Sequence, residues 1–311
     1  MDMLPTRRIE YLPSNEAYNQ WATTYDNDGN ILQALDSHAL QQFLIPRFIK
    51  RLTSEAHSAK PQTITITDLG CGTGRADLLL LAALQDSDSS LLRSLSSCGC
   101  QELLLSGLDA SVGMLNVAAN RVPASTCLSE GFRVGVQYGV YDLRMPDQDV
   151  CWTDGSRSII QNAPADAMIS TLVLEHLELD IFFREAGRLV RPGGCLLLTN
   201  MHSDMGNTPV NNSMPEQTQK QSCAITGAGF NDALQNVKIR VATDYSHTIS
   251  DVLQAAADQG FILVDDKVEE MAVQDRMLAT QKPGSAAIVG SRGQKWRGVK
   301  CWFGMILQLN R

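Results

Sequence analysis

Three glycines at alternate positions, Gly70, Gly72 and Gly74, follow closely on Asp68 in the stretch Asp68-Leu69-Gly70-Cys71-Gly72-Thr73-Gly74-Arg75. Glycines so spaced allow positive φ and let the backbone approach a ligand closely. The alternating run Ile64-Thr65-Ile66-Thr67 ahead of them reads as a buried strand, and the apolar run from Leu78 to Leu84 behind them starts a helix. This is the layout of a nucleotide-cofactor loop. The dinucleotide fingerprint is G-x-G-x-x-G, and here the third glycine comes one residue early. Asp68 separates the cases further: a carboxylate opening the loop repels a pyrophosphate but suits a cofactor carrying an ammonium and a sulfonium.

Leu105-Ser106-Gly107-Leu108-Asp109 reads as a strand ending in an acid, followed by a helix that contains Met114 and Leu115. An acid at that strand end can accept hydrogen bonds from both hydroxyls of a ribose, or it can cap the helix. It lies about twice as far beyond the glycines as the ≈ 20-residue spacing of the dinucleotide fold. The excess falls in Gln85–Gln101, where Leu91-Leu92-Arg93-Ser94-Leu95 suggests an inserted helix. Tyr141-Asp142-Leu143, after a strand over Gly131–Tyr138, could bind an adenine or simply form a turn.

These segments, together with Asp166-Ala167-Met168-Ile169-Ser170-Thr171-Leu172-Val173-Leu174-Glu175-His176-Leu177 and Arg191-Pro192-Gly193-Gly194 before Cys195, resemble the class I S-adenosylmethionine-dependent methyltransferases. The matched motifs run from about residue 14 to 202, and beyond them only the order of elements agrees. The resemblance implies a Rossmann-like, seven-stranded, mainly parallel sheet with helices on both faces and an antiparallel last strand at Gly298–Leu309. It implies S-adenosyl-L-methionine held by Asp68, Gly70, Cys71, Gly72 and Gly74 at the loop, and by Asp109, Ala110 and Met114 around the ribose. Asp142 and Leu143 would read adenine, and Thr171 would end the strand that faces the methionine moiety.

Tyr18, Trp21 and Tyr25 lie in Tyr18-Asn19-Gln20-Trp21-Ala22-Thr23-Thr24-Tyr25-Asp26. This resembles the Tyr-x-x-Trp-Ala-x-x-Tyr-Asp segment that folds over the cofactor in small-molecule members. Their spacing equally suits an amphipathic helix packing on the core. His202 follows the fifth strand, where an acceptor must sit, and is a candidate general base; His247 is its partner by analogy only. Each could instead be a cap or loop histidine. His176, at a helix start, reads as a structural hydrogen-bonder. None of the five histidines stands in H-x-x-x-H or H-x-H spacing, so metal-dependent transfer is not expected.

A net charge of −8 with no dense basic run argues against nucleic acid as a partner. The first residues lack a signal-peptide pattern, and no segment approaches the ~20 apolar residues of a membrane span, so a cytoplasmic protein is expected. The eight cysteines show no C-x-x-C pair and read as reduced thiols. Residues 1–60 are expected to form a helical cap, broken near Asp26-Asn27-Asp28-Gly29-Asn30, and residues 61–311 the methyltransferase domain. Strands are expected at Thr63–Asp68, Glu102–Asp109, Gly131–Tyr138, Ala167–Ser170 and Cys195–Thr199, and helices at Ser111–Arg121 and Leu179–Leu189. Arg191-Pro192-Gly193-Gly194 is expected to turn the chain. A mobile loop is expected over residues 203–221, then a helix at Thr248–Gln259, a strand at Phe261–Asp265 and a long connection from Thr280 to Arg297. The expected reaction is methylation of a small metabolite, at oxygen or nitrogen before sulfur, in secondary or specialised metabolism. A cofactor-binding regulatory protein without turnover and a nicotinamide-dependent oxidoreductase are the alternatives, and the glycine spacing and Asp68 disfavour the latter.

Overall fold

The computed structural model describes residues 8–59, 62–86, 90–145, 148–158, 164–208, 229–232, 237–242, 244–278 and 287–310. The chain opens with β1 (Arg8–Leu12), α1 (Ser14–Trp21) and a single 3₁₀ turn at Tyr25–Asn27. Next come α2 (Ile31–Ala39), a π-helical turn at Leu40–Leu44 and α3 (Ile45–Ala59). The break between α1 and α2 is built from local side-chain bonds. Asp28 accepts from the Asn30 N–H at 2.8 Å, and Asn30 caps α2 by accepting from the Leu32 N–H at 2.9 Å.

The α/β body then runs β2 (Thr63–Leu69), α4 (Arg75–Gln85), α5 (Leu91–Ser97), β3 (Glu102–Asp109), α6 (Val112–Arg121), β4 (Ser125–Cys127) and β5 (Arg133–Val140). It continues through β6 (Val150–Trp152), β7 (Arg157–Ser158), β8 (Ala165–Thr171), α7 (Leu179–Leu189), β9 (Val190–Met201) and α8 (Ser203–Asn207). The remaining elements are β10 (Gly229–Asp232), β11 (Val237–Val241), α9 (Ile249–Asp258), β12 (Phe261–Ala272), α10 (Asp275–Leu278) and β13 (Lys300–Leu309).

The main sheet has the order β12-β13-β9-β8-β2-β3-β5, with β6 and β7 added beyond β5 and β4 paired on it. Pairs among β9, β8, β2, β3 and β5 are parallel, whereas β13 runs antiparallel to both β9 and β12. The expected seven-strand arrangement with its antiparallel last strand is therefore present. Successive residues of β9 show why helices cover both faces. Cys195 and Leu197 join the core formed with α2, α3 and α4, while Leu196 and Leu198 join Phe182, Phe183, Val252 and Ala256 of α7 and α9. Strand order reverses between β2 and β8, and the crevice beyond their carboxyl ends is where such a sheet binds ligands.

Four features depart from the sequence expectations. The N-terminal segment is not wholly helical, because β1 pairs in parallel with β11 in a second sheet of order β1-β11-β10. Arg191 to Gly194 do not turn the chain; they bulge from β9, since Ala165 already pairs with Val190 and Ala167 next pairs with Cys195. Arg191 Nε donates to Asp166 Oδ1 at 2.8 Å and holds that bulge. β12 runs past Asp265 because Asp265 and Asp266 take left-handed backbone angles, absorb a bulge and let pairing resume at Val268. Within the expected 203–221 loop, Ser203–Asn207 is helical, and the part from residue 209 lies outside the described residues.

The helical N-terminal segment is fastened to the sheet through Asp36, which is fully buried. Its Oδ1 accepts from Trp302 Nε1 of β13 at 2.8 Å, and its Oδ2 accepts from Arg75 Nη2 at 2.5 Å. Replacing Trp302→Phe removes one donor and strands a buried carboxylate oxygen, so urea unfolding should show a loss of at least about 1–3 kcal/mol. An unchanged midpoint would show that Asp36 does not depend on this bond.

Candidate active site

The glycine loop is tied to the end of β3 by two bonds to one carbonyl: Gly70 and Cys71 N–H donate to Leu108 O at 2.7 and 3.1 Å. Gly70, Gly72 and Gly74 all have positive φ. At Gly70 a Cβ would stand 2.3 Å from Val173 Cγ2, so the close approach of loop and β8 end requires glycine there. At Gly72 a Cβ would meet nothing within 4 Å, and this residue lines a cleft of about 750 Å³ that opens to solvent.

Asp109 forms one wall of the cleft. Its Oδ2 accepts from the Gly72 N–H at 2.9 Å and its Oδ1 from the Ser111 N–H at 2.8 Å. A carboxylate offers about four acceptor positions, so one on each oxygen stays available to a ligand. Burial raises its pKa, against the two backbone N–H bonds that lower it. Ala110, Ser111 and Met114 continue the same wall, and Ser111 caps α6 by accepting from the Met114 N–H at 3.2 Å.

Asp142 and Leu143 lie farther along the cleft, with Arg144 beside them. Burial would raise the Asp142 pKa, but hydrogen bonds from the Arg144 side chain and backbone hold it below its ordinary value. Arg144 Nε and Nη2 reach the two Asp142 oxygens at 2.9 and 2.7 Å. This bidentate pair neutralises the one Lys or Arg side chain among the described cleft-lining residues. The cleft thus presents acid rather than base. Thr171 and Leu172 close it at the end of β8, Leu172 with the unusual φ of 57°.

Tyr18 and Tyr25 line the cleft from the N-terminal segment. Trp21 does not; it is 2% exposed, stacked on Tyr18 at 5.6 Å and edge-on to Tyr25 at 5.0 Å, so it supports the two tyrosines from behind. Cys71 and Gly74 are also absent from the lining. The Cys71 side chain belongs to the core, and Gly74 starts α4 with φ 73°, packed against Tyr138 and Val122.

Asp68 lies beneath the loop, fully buried and off the cleft surface, which prevents direct pairing with a bound cation. It faces Asp77, whose Oδ2 accepts from Tyr138 Oη at 2.8 Å. Burial and the neighbouring Asp77 charge raise the Asp68 pKa well above the carboxylate range, so Asp68 is the partner that keeps a proton.

Neither proposed catalytic histidine reaches the cleft. The His202 Nδ1 accepts from the Asp204 N–H at 3.0 Å and caps α8, while its Nε2 lies 2.9 Å from Glu270 Oε1. The His247 Nε2 bonds the Leu174 and Leu177 carbonyls at 3.1 and 2.9 Å and so fastens the turn that follows β8. The described histidine on the cleft wall is His176, 2.7 Å from Tyr18 Oη through Nε2 and 3.3 Å from Asp244 Oδ1 through Nδ1. Sequence reasoning passed over Ser14 and Asn15 on the wall, and it quoted Tyr141 and Val173 within their motifs without naming them as site residues. No motif marks Ser14 and Asn15, whereas Tyr141 and Val173 belong to segments already singled out.

The Asp68 proton has a measurable consequence. An acid whose folded pKa exceeds its unfolded value stabilises the fold fully below the unfolded pKa, and that contribution is lost as pH rises through the folded pKa. Between about pH 4 and about pH 8, the urea midpoint of the wild type should therefore fall relative to that of Asp68→Asn, which cannot titrate. Parallel pH profiles would contradict the proton kept on Asp68.

No family model matches the chain. An uncharacterized methyltransferase of Emericella nidulans is 38% identical over 307 residues, an alignment covering 96% of this chain and 91% of that protein. Among solved structures, magnesium protoporphyrin IX methyltransferase from Synechocystis PCC 6803, with bound SAH, aligns over 95% of this chain and 94% of its own, at 14% identity and a TM-score of 0.47. An S-adenosylmethionine-dependent methyltransferase from Mesorhizobium loti aligns over 83% of this chain and 97% of its own, at 19% identity and a TM-score of 0.41. Identity of 38% along nearly the whole of both chains, joined to the strand order and glycine loop described above, makes this protein a member of the class I S-adenosylmethionine-dependent methyltransferase family.

Proposed function

We propose that this protein binds S-adenosyl-L-methionine in the acid-walled cleft and transfers its methyl group to a small-molecule acceptor, at oxygen or nitrogen in preference to sulfur. The observation that carries the reading is Asp109, fixed by the Gly72 and Ser111 N–H groups with one acceptor position left on each oxygen. Two adjacent ribose hydroxyls match that pair. Gly72 lets a ligand lie against the loop without a side chain in the way, and Gly70 and Thr171 bound the end suited to the methionine moiety. In this reading Asp142 and Leu143, farther along the same wall, receive adenine, supported by the acceptor position that Asp142 Oδ2 keeps beyond its bond to Arg144.

Bound there, S-adenosylmethionine supplies an electrophilic methyl group on a cationic sulfur. The chain's own part is to orient and to exclude water. Tyr18 and Tyr25, supported by Trp21, cover the cleft, and orientation in a dry site supplies much of the acceleration of such a displacement. The acceptor is read as a small metabolite of secondary or specialised metabolism, one that enters the open end of the cleft beside Tyr18 and His176. The net charge of −8 also disfavours nucleic acid.

S-adenosylhomocysteine should raise the melting temperature and NAD should not, because a ligand that binds only the folded state stabilises it. A shift with NAD alone would overturn the reading. Asp109→Ala should stay folded and weaken S-adenosylhomocysteine by about 1.5–3 kcal/mol in isothermal titration, the range for hydrogen bonds to a charged group. Isotope-labelled methyl from S-adenosylmethionine should appear in a product when the small-molecule fraction of a cell extract is supplied. Cofactor binding without any labelled product would instead indicate a protein that holds the cofactor without turnover.

A further inference from the structure

His176 stands where three separate segments meet. Tyr18 reaches it from α1, with its hydroxyl 2.7 Å from Nε2, and Asp244 reaches it from the segment ahead of α9, with Oδ1 3.3 Å from Nδ1. Tyr18 and His176 both line the cleft. The neighbouring Glu175 is 8% exposed, and its Oε2 is buried without a hydrogen-bond partner among the described residues. A carboxylate in that position is costly unless a positive charge forms beside it.

In the tautomer with its proton on Nδ1, the nitrogen 3.3 Å from Asp244 Oδ1, the Nε2 lone pair accepts from Tyr18 Oη; the other tautomer reverses that bond. Burial raises the Tyr18 pKa well above its ordinary value, with Tyr25 and Glu175 adding to the rise, so Tyr18 passes a proton on and does not rest as phenolate. The ionisable groups that face this pair are Tyr25 from the N-terminal segment, Asp109 from the end of β3, Glu175 from the same turn and Asp244. Every one that carries charge is an acid, and each favours an imidazolium.

We infer that Tyr18, His176 and Asp244 form a proton relay that takes the acceptor's proton during methyl transfer, an inference that rests on the function proposed above. The acceptor's lone pair forms the bond to the methyl carbon, and the carbon–sulfur bond breaks with its electron pair going to sulfur. The acceptor's O–H or N–H proton passes to Tyr18 Oη as the phenol's own proton passes to His176 Nε2. The positive charge lost from sulfur thus reappears on an imidazole beside Asp244, with Glu175 as the neighbouring acid, and the proton later leaves to solvent. Tyr18 and His176 are the catalytic residues, and Asp244 is a positioning residue.

Two measurements on the intact chain test this. Histidine ring NMR with S-adenosylhomocysteine bound, the His176 signal being assigned by its loss in His176→Gln, should show a midpoint that falls by about one pH unit or more in Asp244→Asn. A midpoint unmoved in the folded variant overturns the relay, whether or not an acceptor is in hand. With labelled S-adenosylmethionine and the small-molecule extract fraction, Tyr18→Phe and His176→Gln should lower the initial rate about 10²–10⁴-fold, with S-adenosylhomocysteine affinity retained. Asp244→Asn should move the acidic limb of the pH–rate profile to lower pH. Labelled product at the wild-type rate and pH dependence in all three variants overturns the relay alone. Absence of labelled product from the wild type itself overturns the methyl-transfer reading and the relay with it.

Discussion

Asp36 has no contact with solvent, yet its two oxygens join the N-terminal segment to Trp302 on the last strand and to Arg75 at the start of α4. Arg75 in turn reaches Ser37 and Thr171 Oγ1, so one buried ion pair spans α2, the helix behind the glycine loop, the end of β8 and β13. Such a pair contributes little net stability against an apolar replacement, but removing one partner leaves a buried charge unmatched. Its effect here is geometric. It anchors the helix that follows the aromatic segment, and that segment is itself tied to the glycine loop where Thr73 Oγ1 donates to Asp26 Oδ1 at 3.0 Å.

The electrostatics around the cleft are one-sided. Asp109 lines it, Glu175 and Asp244 stand behind its wall, and Asp142 and Arg144 on the wall neutralise each other. With the one cation of the wall paired, the remaining acid disfavours a pyrophosphate and favours a cation. The first acid of the loop motif contributes differently from the others. Asp68 is sealed beneath the glycines against Asp77 and Tyr138, where a neutral carboxyl avoids a second buried charge. Its influence on a ligand therefore passes through the shape of the loop.

The histidines show how far a residue's place in the chain can mislead. His202 does follow the fifth strand, but α8 begins there and its N-terminus takes the imidazole as a cap. His247 is taken up by two carbonyls of the turn after β8. His176 lies within that same turn, and α1 brings Tyr18 onto it from 158 residues away. Helix starts and irregular turns both attract imidazoles, and only the arrival of another segment separates a cap from a group poised to exchange a proton.

Much of the architecture was legible in the chain itself. Apolar runs located the parallel strands, Glu102–Asp109 to the residue, because a sheet buried on both faces demands apolar stretches, and the helical period located Leu179–Leu189 to the residue, because an amphipathic helix demands its stripe. The positive φ of Gly70, Gly72 and Gly74 was legible for the same local reason. Local signals were weaker where pairing overrode them: Pro192 and its glycines are a bulge within a strand, and Asp265 and Asp266 are a bulge within another, since neighbouring strands on either side restore the register. The site divides along the same line. Local sequence marked the loop and the acid at the end of β3, and the pairing of β2 with β3 brought them together, the Gly72 N–H donating to Asp109 Oδ2. Tertiary structure alone decided that Asp68, Cys71 and Trp21 face the interior, and that His176, not His202 or His247, meets Tyr18 and Asp244 on the cleft wall, because side-chain direction and contacts between distant segments are set by packing and have no signature in spacing.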